Sequence, residues 1–123
     1  MKNHKYRNLQ IRELKILNKL LEKSFPGSKE ISQQIASSKA RDVFDKSGNF
    51  WGIEFRIDSN EIANVKKRVP VEAITYENNV PVQILLHIVN GKVKELELVR
   101  FDDVPPVGFP NPEVLEVKVN EKY

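Results

Sequence analysis

The chain reads as an α+β protein: two N-terminal helices packed on a mostly antiparallel β-meander sheet, closed by a proline-rich C-terminal segment. Three observations predict this. Apolar residues recur at three- and four-residue steps before about residue 37, and at two-residue steps from Arg41 onward. Two tight-turn pairs, Asn78-Asn79 and Asn90-Gly91, separate three long runs rich in β-formers. Four of the seven prolines stand at positions 105, 106, 110 and 112. At 123 residues the chain is expected to form one domain, 1–123, with a loose N-terminus over 1–8 and an extended tail over 104–123 packed on it.

The first helix is expected over Leu9–Lys23. Ile11, Leu14, Leu17 and Leu21 share one face, and Ile16 and Leu20 widen it. Asn8 is the expected N-cap. Ser24-Phe25-Pro26-Gly27 ends the helix, since Pro26 disfavours helical geometry at Phe25. A second helix follows over Ser28–Ser37, with Ser28 as cap, Glu30 near its positive end and an Ile31/Ile35 apolar pair.

Strands then follow in turn. A short one is expected at Asp42–Phe44, a turn at Asp45–Asn49, and a half-buried strand in which Ile53, Phe55 and Ile57 alternate with Glu54, Arg56 and Asp58. Residues 58–68 form a polar connection. Val69–Glu77, Val80–Val89 and Lys92–Arg100 form the meander, and a short strand closes the tail at Val114–Val119.

Register fixes the faces. A two-residue loop at Asn78-Asn79 pairs Glu77 with Val80 and Val71 with Leu86, so Val69, Val71, Ala73, Thr75, Val82, Ile84, Leu86 and Ile88 share the core face. A two-residue loop at Asn90-Gly91 would set Leu86 against Glu95 and drive two glutamates into the core, at a cost of several kcal/mol, roughly. A three-residue loop, Val89-Asn90-Gly91, with Gly91 in a bulge, avoids this and pairs Ile84 with Leu96 and Val82 with Leu98. The opposite face then carries Glu72, Ile74, Tyr76, Gln83, Leu85, His87, Val93, Glu95, Glu97 and Val99. Glu72, Leu85, His87, Glu95 and Glu97 form its acidic centre, which is either solvated sheet or a docking face for a basic partner.

Composition narrows the chemistry. Zero cysteines exclude disulfides, thiol nucleophiles and cysteine-ligated metals, and the two histidines, His4 and His87, are too few for a His-rich metal site. Phosphate-binding glycine loops, HExxH, GxSxG and EF-hand patterns are absent from the sequence. No catalytic residue, metal or cofactor is expected. His87 beside Glu95 or Glu97 could be drawn as an acid–base pair, but a strand histidine among carboxylates is ordinarily surface chemistry. The longest apolar runs fall well short of a membrane span, and the charged start lacks a signal's apolar region, so the protein is expected in the cytoplasm.

Charge is uneven, with 11 Lys/Arg against 5 Asp/Glu over residues 1–50 and 9 against 12 over 51–123. Arg12, Lys15, Lys19 and Lys23 share an arc of the first helix, and Lys66, Lys67 and Arg68 follow in the connection. Together they form a candidate basic patch for phosphates. Trp51, the sole tryptophan, is a core or rim aromatic or a partner anchor.

The helix closing in Leu20-Leu21-Glu22-Lys23-Ser24-Phe25-Pro26-Gly27, the run Arg68-Val69-Pro70-Val71-Glu72-Ala73, the run Gly91-Lys92-Val93-Lys94-Glu95-Leu96-Glu97-Leu98 and the closing Phe109-Pro110-Asn111-Pro112-Glu113-Val114-Leu115 carry a resemblance. The chain resembles a family of small uncharacterised bacterial α+β proteins over most of its length. That resemblance implies no activity and no functional residues. By class, it also looks like the immunity proteins that neutralise toxins of contact-dependent growth inhibition or polymorphic toxin systems. The expected function is therefore a non-enzymatic protein-binding module, most concretely a bacterial immunity protein occluding a cognate toxin with its acidic sheet face. The alternative is a nucleic-acid-associated protein using the basic patch.

Overall fold

A computed structural model describes residues 5–102, 104, 106 and 108–123. Residues 1–4, including His4, and Pro105 lie outside the described residues. Helices α1 (Ile11–Leu20) and α2 (Ser28–Ala36) precede strands β1 (Lys39–Phe44), β2 (Phe50–Arg56), β3 (Val71–Glu77), β4 (Val80–Val89), β5 (Lys92–Arg100) and β6 (Glu116–Val119). A 3-10 turn at Pro112–Val114 leads into β6. The strands form one antiparallel sheet in the order β1-β2-β5-β4-β3-β6. The α+β class and the N-terminal position of both helices follow the sequence pattern. The core lies between the helices and one sheet face, with Ile16, Leu17, Leu20 and Ile31 against Ile53, Val71, Ile84, Leu86 and Leu96.

Helix α1 turns a different face inward from the one its leucines suggest. Its buried residues are Glu13, Ile16, Leu17 and Leu20, the i, i+3, i+4, i+7 stripe. Ile11 and Leu14 point outward at 74% and 39% exposure, and Leu21 is half-buried past the helix end. The cause is Glu13, which takes an inward position because Arg7 grips both its oxygens at 2.9 Å and the Gln10 amide donates to it at 2.8 Å. Gln10, not Asn8, therefore caps α1; the Asn8 side chain accepts from Lys39 instead. Residues 5–8 are not loose, since Arg7 and Ala40 exchange two backbone hydrogen bonds of 2.8 Å along β1. The helix stops at Leu20, short of Lys23.

Helix α2 is capped by Gly27 and not by Ser28, whose hydroxyl accepts from the Phe25 amide. Ile31 and Ile35 are buried as the pattern requires, and so is Gln34, with no exposed surface. Its amide nitrogen donates to the Glu61 and Gly91 carbonyls at 2.9 and 2.8 Å, and its oxygen accepts from the Val93 amide at 2.8 Å. One side chain thus joins α2, the connection after β2 and the β4–β5 hairpin.

The hairpins correct the expected register. Asn78-Asn79 is a two-residue turn with both φ angles positive, and the predicted Glu77↔Val80 and Val71↔Leu86 pairs are present. Asn90-Gly91 is also a two-residue turn, with φ of 52° and 76° and Val89 opposite Lys92. The bulge lies two residues further on, at Lys94, between the Ile88↔Val93 and His87↔Glu95 pairs. Leu96 therefore pairs with Leu86 and Leu98 with Ile84, not with Ile84 and Val82. Leu96 and Leu98 still face the core and Glu95 and Glu97 still face out, but Val93 moves to the core side and is 2% exposed. The bulge inverts side-chain parity after Val93, which a three-residue loop would have done before it.

Four strands have corrected bounds, among them β2, which ends at Arg56 and leaves Ile57 and Asp58 outside it. β1 begins at Lys39 rather than Asp42, β3 at Val71 rather than Val69, and β6 at Glu116 rather than Val114. Gly52 sets the close approach of β2 to β5: at φ 139° a side-chain carbon there would stand 2.0 Å from the Leu96 carbonyl oxygen. The tail passes to the helix side of the sheet. Phe109 packs edge-on against Phe50 at 5.5 Å, its carbonyl accepts from Arg12 at 3.1 Å, and Leu115 is buried.

Replacing Gln34 by leucine keeps the volume and strands three backbone groups. At about 1–3 kcal/mol for each unpaired buried group, we expect the Gln34→Leu variant to lose roughly 3 kcal/mol or more of unfolding free energy in urea. Gln33→Leu, on the exposed side of α2, should change it by no more than about 0.5 kcal/mol.

Candidate functional site

The sheet face away from the helices is the candidate site. Strand alternation brings the five predicted residues Glu72, Leu85, His87, Glu95 and Glu97 onto it, since β3, β4 and β5 each bury every second residue on the other side. Leu85 lies directly between Glu97 and Glu72 in neighbouring strands, and His87 lies opposite Glu95. Ile74 and Val99 are half-buried on the same face, and Tyr76 is 61% exposed at its end. Of the described tail residues, Phe109 packs on Phe50 and Leu115 is buried in the core, while Val104 and Pro106 stand beside Glu97 and Val99 at the margin of this surface.

The charges are not equivalent. Glu72 accepts from Gln83 at 3.0 Å and from Asn120 at 2.9 Å, so it is part of the anchor that holds the chain after β6. Arg68 donates its Nε–H to His87 Nδ1 at 3.0 Å. A guanidinium has no acceptor, so Nδ1 must be the acceptor and the imidazole proton sits on Nε2, which donates to Glu97 Oε1 at 2.7 Å. Both ring nitrogens of His87 are therefore engaged, Nδ1 by Arg68 and Nε2 by Glu97. Glu54, one strand over, accepts from Tyr6 and Arg41. Burial raises its carboxyl, but the Tyr6 hydroxyl and the Arg41 and Lys94 cations outweigh that and hold it below the usual range.

Glu95 differs from these. It accepts no hydrogen bond and forms no ion pair among the described residues. Partial burial pushes its carboxyl up, and the Glu97 charge adds to this. It is a partly desolvated carboxylate facing outward, with His87 and Arg68 near enough to oppose the upward shift but bonded elsewhere. Among the described residues no group of three or more His, Asp or Glu side chains is arranged to hold a metal ion, and no helix is long and apolar enough to cross a membrane.

The structure separates part of the candidate basic patch. Arg68 is spent on His87, on the opposite side of the sheet from α1. Arg12 is bonded to the Phe109 carbonyl, and Lys23 lies beyond the helix end. Lys15 and Lys19 remain on α1, while the Lys66 and Lys67 backbone amides hold the buried Glu121 carboxylate at 2.5 and 2.6 Å. Trp51 is 45% exposed, its Nε1 donating to Asp45 at 3.3 Å. It lines a cleft of about 290 Å³ together with Asp45, Val99, Arg100, Asp102 and Val104. β2–β5 pairing ends at Gly52↔Glu97, and the cleft lies beyond that point. No sequence signal indicated this cleft, because it arises where two strands distant in sequence part. Comparison of the chain with family models, curated protein sequences and solved structures finds no match.

A carboxyl raised in the folded state favours the protonated form, so ionised Glu95 works against folding above its raised pKa. We expect Glu95→Gln to stabilise the protein at pH 7–8. The gain is about 0.5 kcal/mol once the group's remaining solvent contact is allowed for. It should shrink toward zero as the pH falls and the wild-type carboxyl takes up its proton. Urea melts from pH 8 down to pH 4 check this. A gain that grows on acidification would contradict the assignment.

Proposed function

We propose that the chain is a non-enzymatic protein-binding module that docks a basic protein surface on the open face of its sheet, as a toxin-neutralising immunity protein does. The observation that carries this reading is Glu95. A carboxylate that is partly desolvated, unpaired and next to Leu85 and Glu97 gains most from a lysine or arginine supplied by a partner. The surrounding surface fits the same role. Leu85, Ile74 and Val99 offer apolar contact, and Tyr76 and Trp51 stand exposed at its margin as rigid aromatic anchors. The His87–Glu97 bond is already satisfied from within, so it fixes the shape of the face without competing for the incoming cation. Neutralisation would be steric and electrostatic: a sheet face of this kind covers a basic active surface and keeps substrate from it.

The test is direct. A toxin encoded beside this chain's gene is co-expressed with the wild type and with Glu95→Lys. The variant should keep its circular dichroism spectrum, bind the purified toxin about 30-fold more weakly by calorimetry (roughly 2 kcal/mol) and fail to protect growth. Equal binding by both proteins would sink the reading. A gel shift with nucleic acid that weakens steeply with salt, and is abolished by reversing Lys15 and Lys19, would replace it with the alternative.

A further inference from the structure

The two edges of the sheet are unlike. β1 is capped at Ala40 by the backbone of Arg7. β6 has no such cover among the described residues, and its hydrogen-bonding parity can be worked out. The Asn120 amide donates to the Pro70 carbonyl at 2.7 Å. In the register that pairs Glu72 with Lys118 and Ile74 with Glu116, the even-numbered residues of β6 therefore bond to β3. The β3–β4 turn requires the same: Glu77 and Val80 close a two-residue hairpin, so the odd residues of β3 bond to β4 and the even ones to β6. Val117 and Val119 thus direct their N–H and C=O groups outward from the free edge.

The side chains of the edge are self-complementary. Glu116 and Lys118 are exposed, and neither side chain forms an ion pair or hydrogen bond among the described residues. Glu72, the residue across from Lys118, is already occupied by Gln83 and Asn120. An antiparallel copy of the strand centred on Val117 sets Glu116 opposite Lys118 on both sides of the centre. Centring on Lys118 instead would oppose like charges. Among registers that keep the pairing within β6, only the Val117-centred one both uses the outward backbone groups and matches the charges.

We propose that a second copy of this chain pairs antiparallel with the free edge of β6, Val117 opposite Val117, to give a dimer with a continuous sheet. The two Val117 residues exchange both backbone hydrogen bonds, and each Val119 amide reaches the Leu115 carbonyl of the other copy. The two-fold axis of such a pairing stands normal to the sheet. Both helix layers therefore lie on one side, and the two open faces lie together on the other. This inference concerns the edge and stands apart from what the open face binds.

Sedimentation equilibrium between roughly 1 µM and 1 mM, the range in which small interfaces associate, tests it. The wild type should form a dimer. Val117→Pro removes only an outward amide and leaves the bonds to β3 in place; it should remain monomeric. Glu116→Lys opposes two lysine pairs and should weaken the dimer about tenfold, the scale of reversing two cross-strand ion pairs. The double variant Glu116→Lys/Lys118→Glu should dimerise more tightly than Glu116→Lys alone. Circular dichroism melts check that each variant is folded, and the charge pair still decides the matter if the proline variant is not. A wild type that is monomeric throughout the range overturns the proposal. So does a folded Val117→Pro that dimerises like wild type, or a double variant no tighter than the single one.

Discussion

The fold depends on a place where the sheet runs out of partners. β2 pairs with β5 only as far as Glu54↔Glu95, so the Val93 amide points to where no strand continues. A buried amide left unpaired there costs free energy on the scale of a whole hydrogen bond. Gln34 replaces the missing strand. Its amide oxygen takes the Val93 N–H while its nitrogen takes the Gly91 and Glu61 carbonyls, all between 2.8 and 2.9 Å. A side-chain amide suits this position because it offers donor and acceptor at one end without a charge to desolvate. Helix α2, the long connection and the meander hairpin are thereby locked into one register.

The same region decides the composition of the open face. After a two-residue turn at Asn90-Gly91, strict alternation would turn Glu95 and Glu97 into the core. The bulge at Lys94 inverts the alternation once, so Val93 points inward before it and Leu96 and Leu98 point inward after it. The extra residue is a lysine that stays in solvent within 3.5 Å of Glu54. The acidic centre is thus a consequence of one inserted residue, and Gln34 holds the strand on the near side of it.

This explains what the sequence made legible and what it did not. The strands, their turns and the inward leucines were readable because period-two patterning and Asn-Gly or Asn-Asn pairs are local. The need for a bulge was readable too, because two buried glutamates are too costly. Its position was harder to read, because a bulge in the loop and one at Lys94 give the same parity to residues 95–98; they differ at residues 92–94, where a loop bulge turns Lys92 and Lys94 inward and Val93 outward, and in the cross-strand partners. The inward face of α1 was missed because Glu13 looks like a solvent residue until Arg7, from a segment that looks loose, is seen to neutralise it. Gln34 was missed for a related reason: a lone glutamine on a helix gives no sign that three backbone groups distant in sequence converge on it. The five residues of the open face share it because their placement follows from alternation alone, whereas nothing local in the sequence shows that the sheet separates Arg68 from the basic arc of α1.

The electrostatics of the open face also follow from strand order. β5 sits between β2 and β4, so its outward glutamates are flanked by residues of both neighbours. Glu97 obtains His87, and through it Arg68, from the β4 side. Glu54 obtains Arg41 and Tyr6 from the β1 side. Glu95 lies between these two assemblies, opposite His87 on one side and Glu54 on the other, and both neighbours are already committed elsewhere. Its lack of a partner is therefore built into the sheet order.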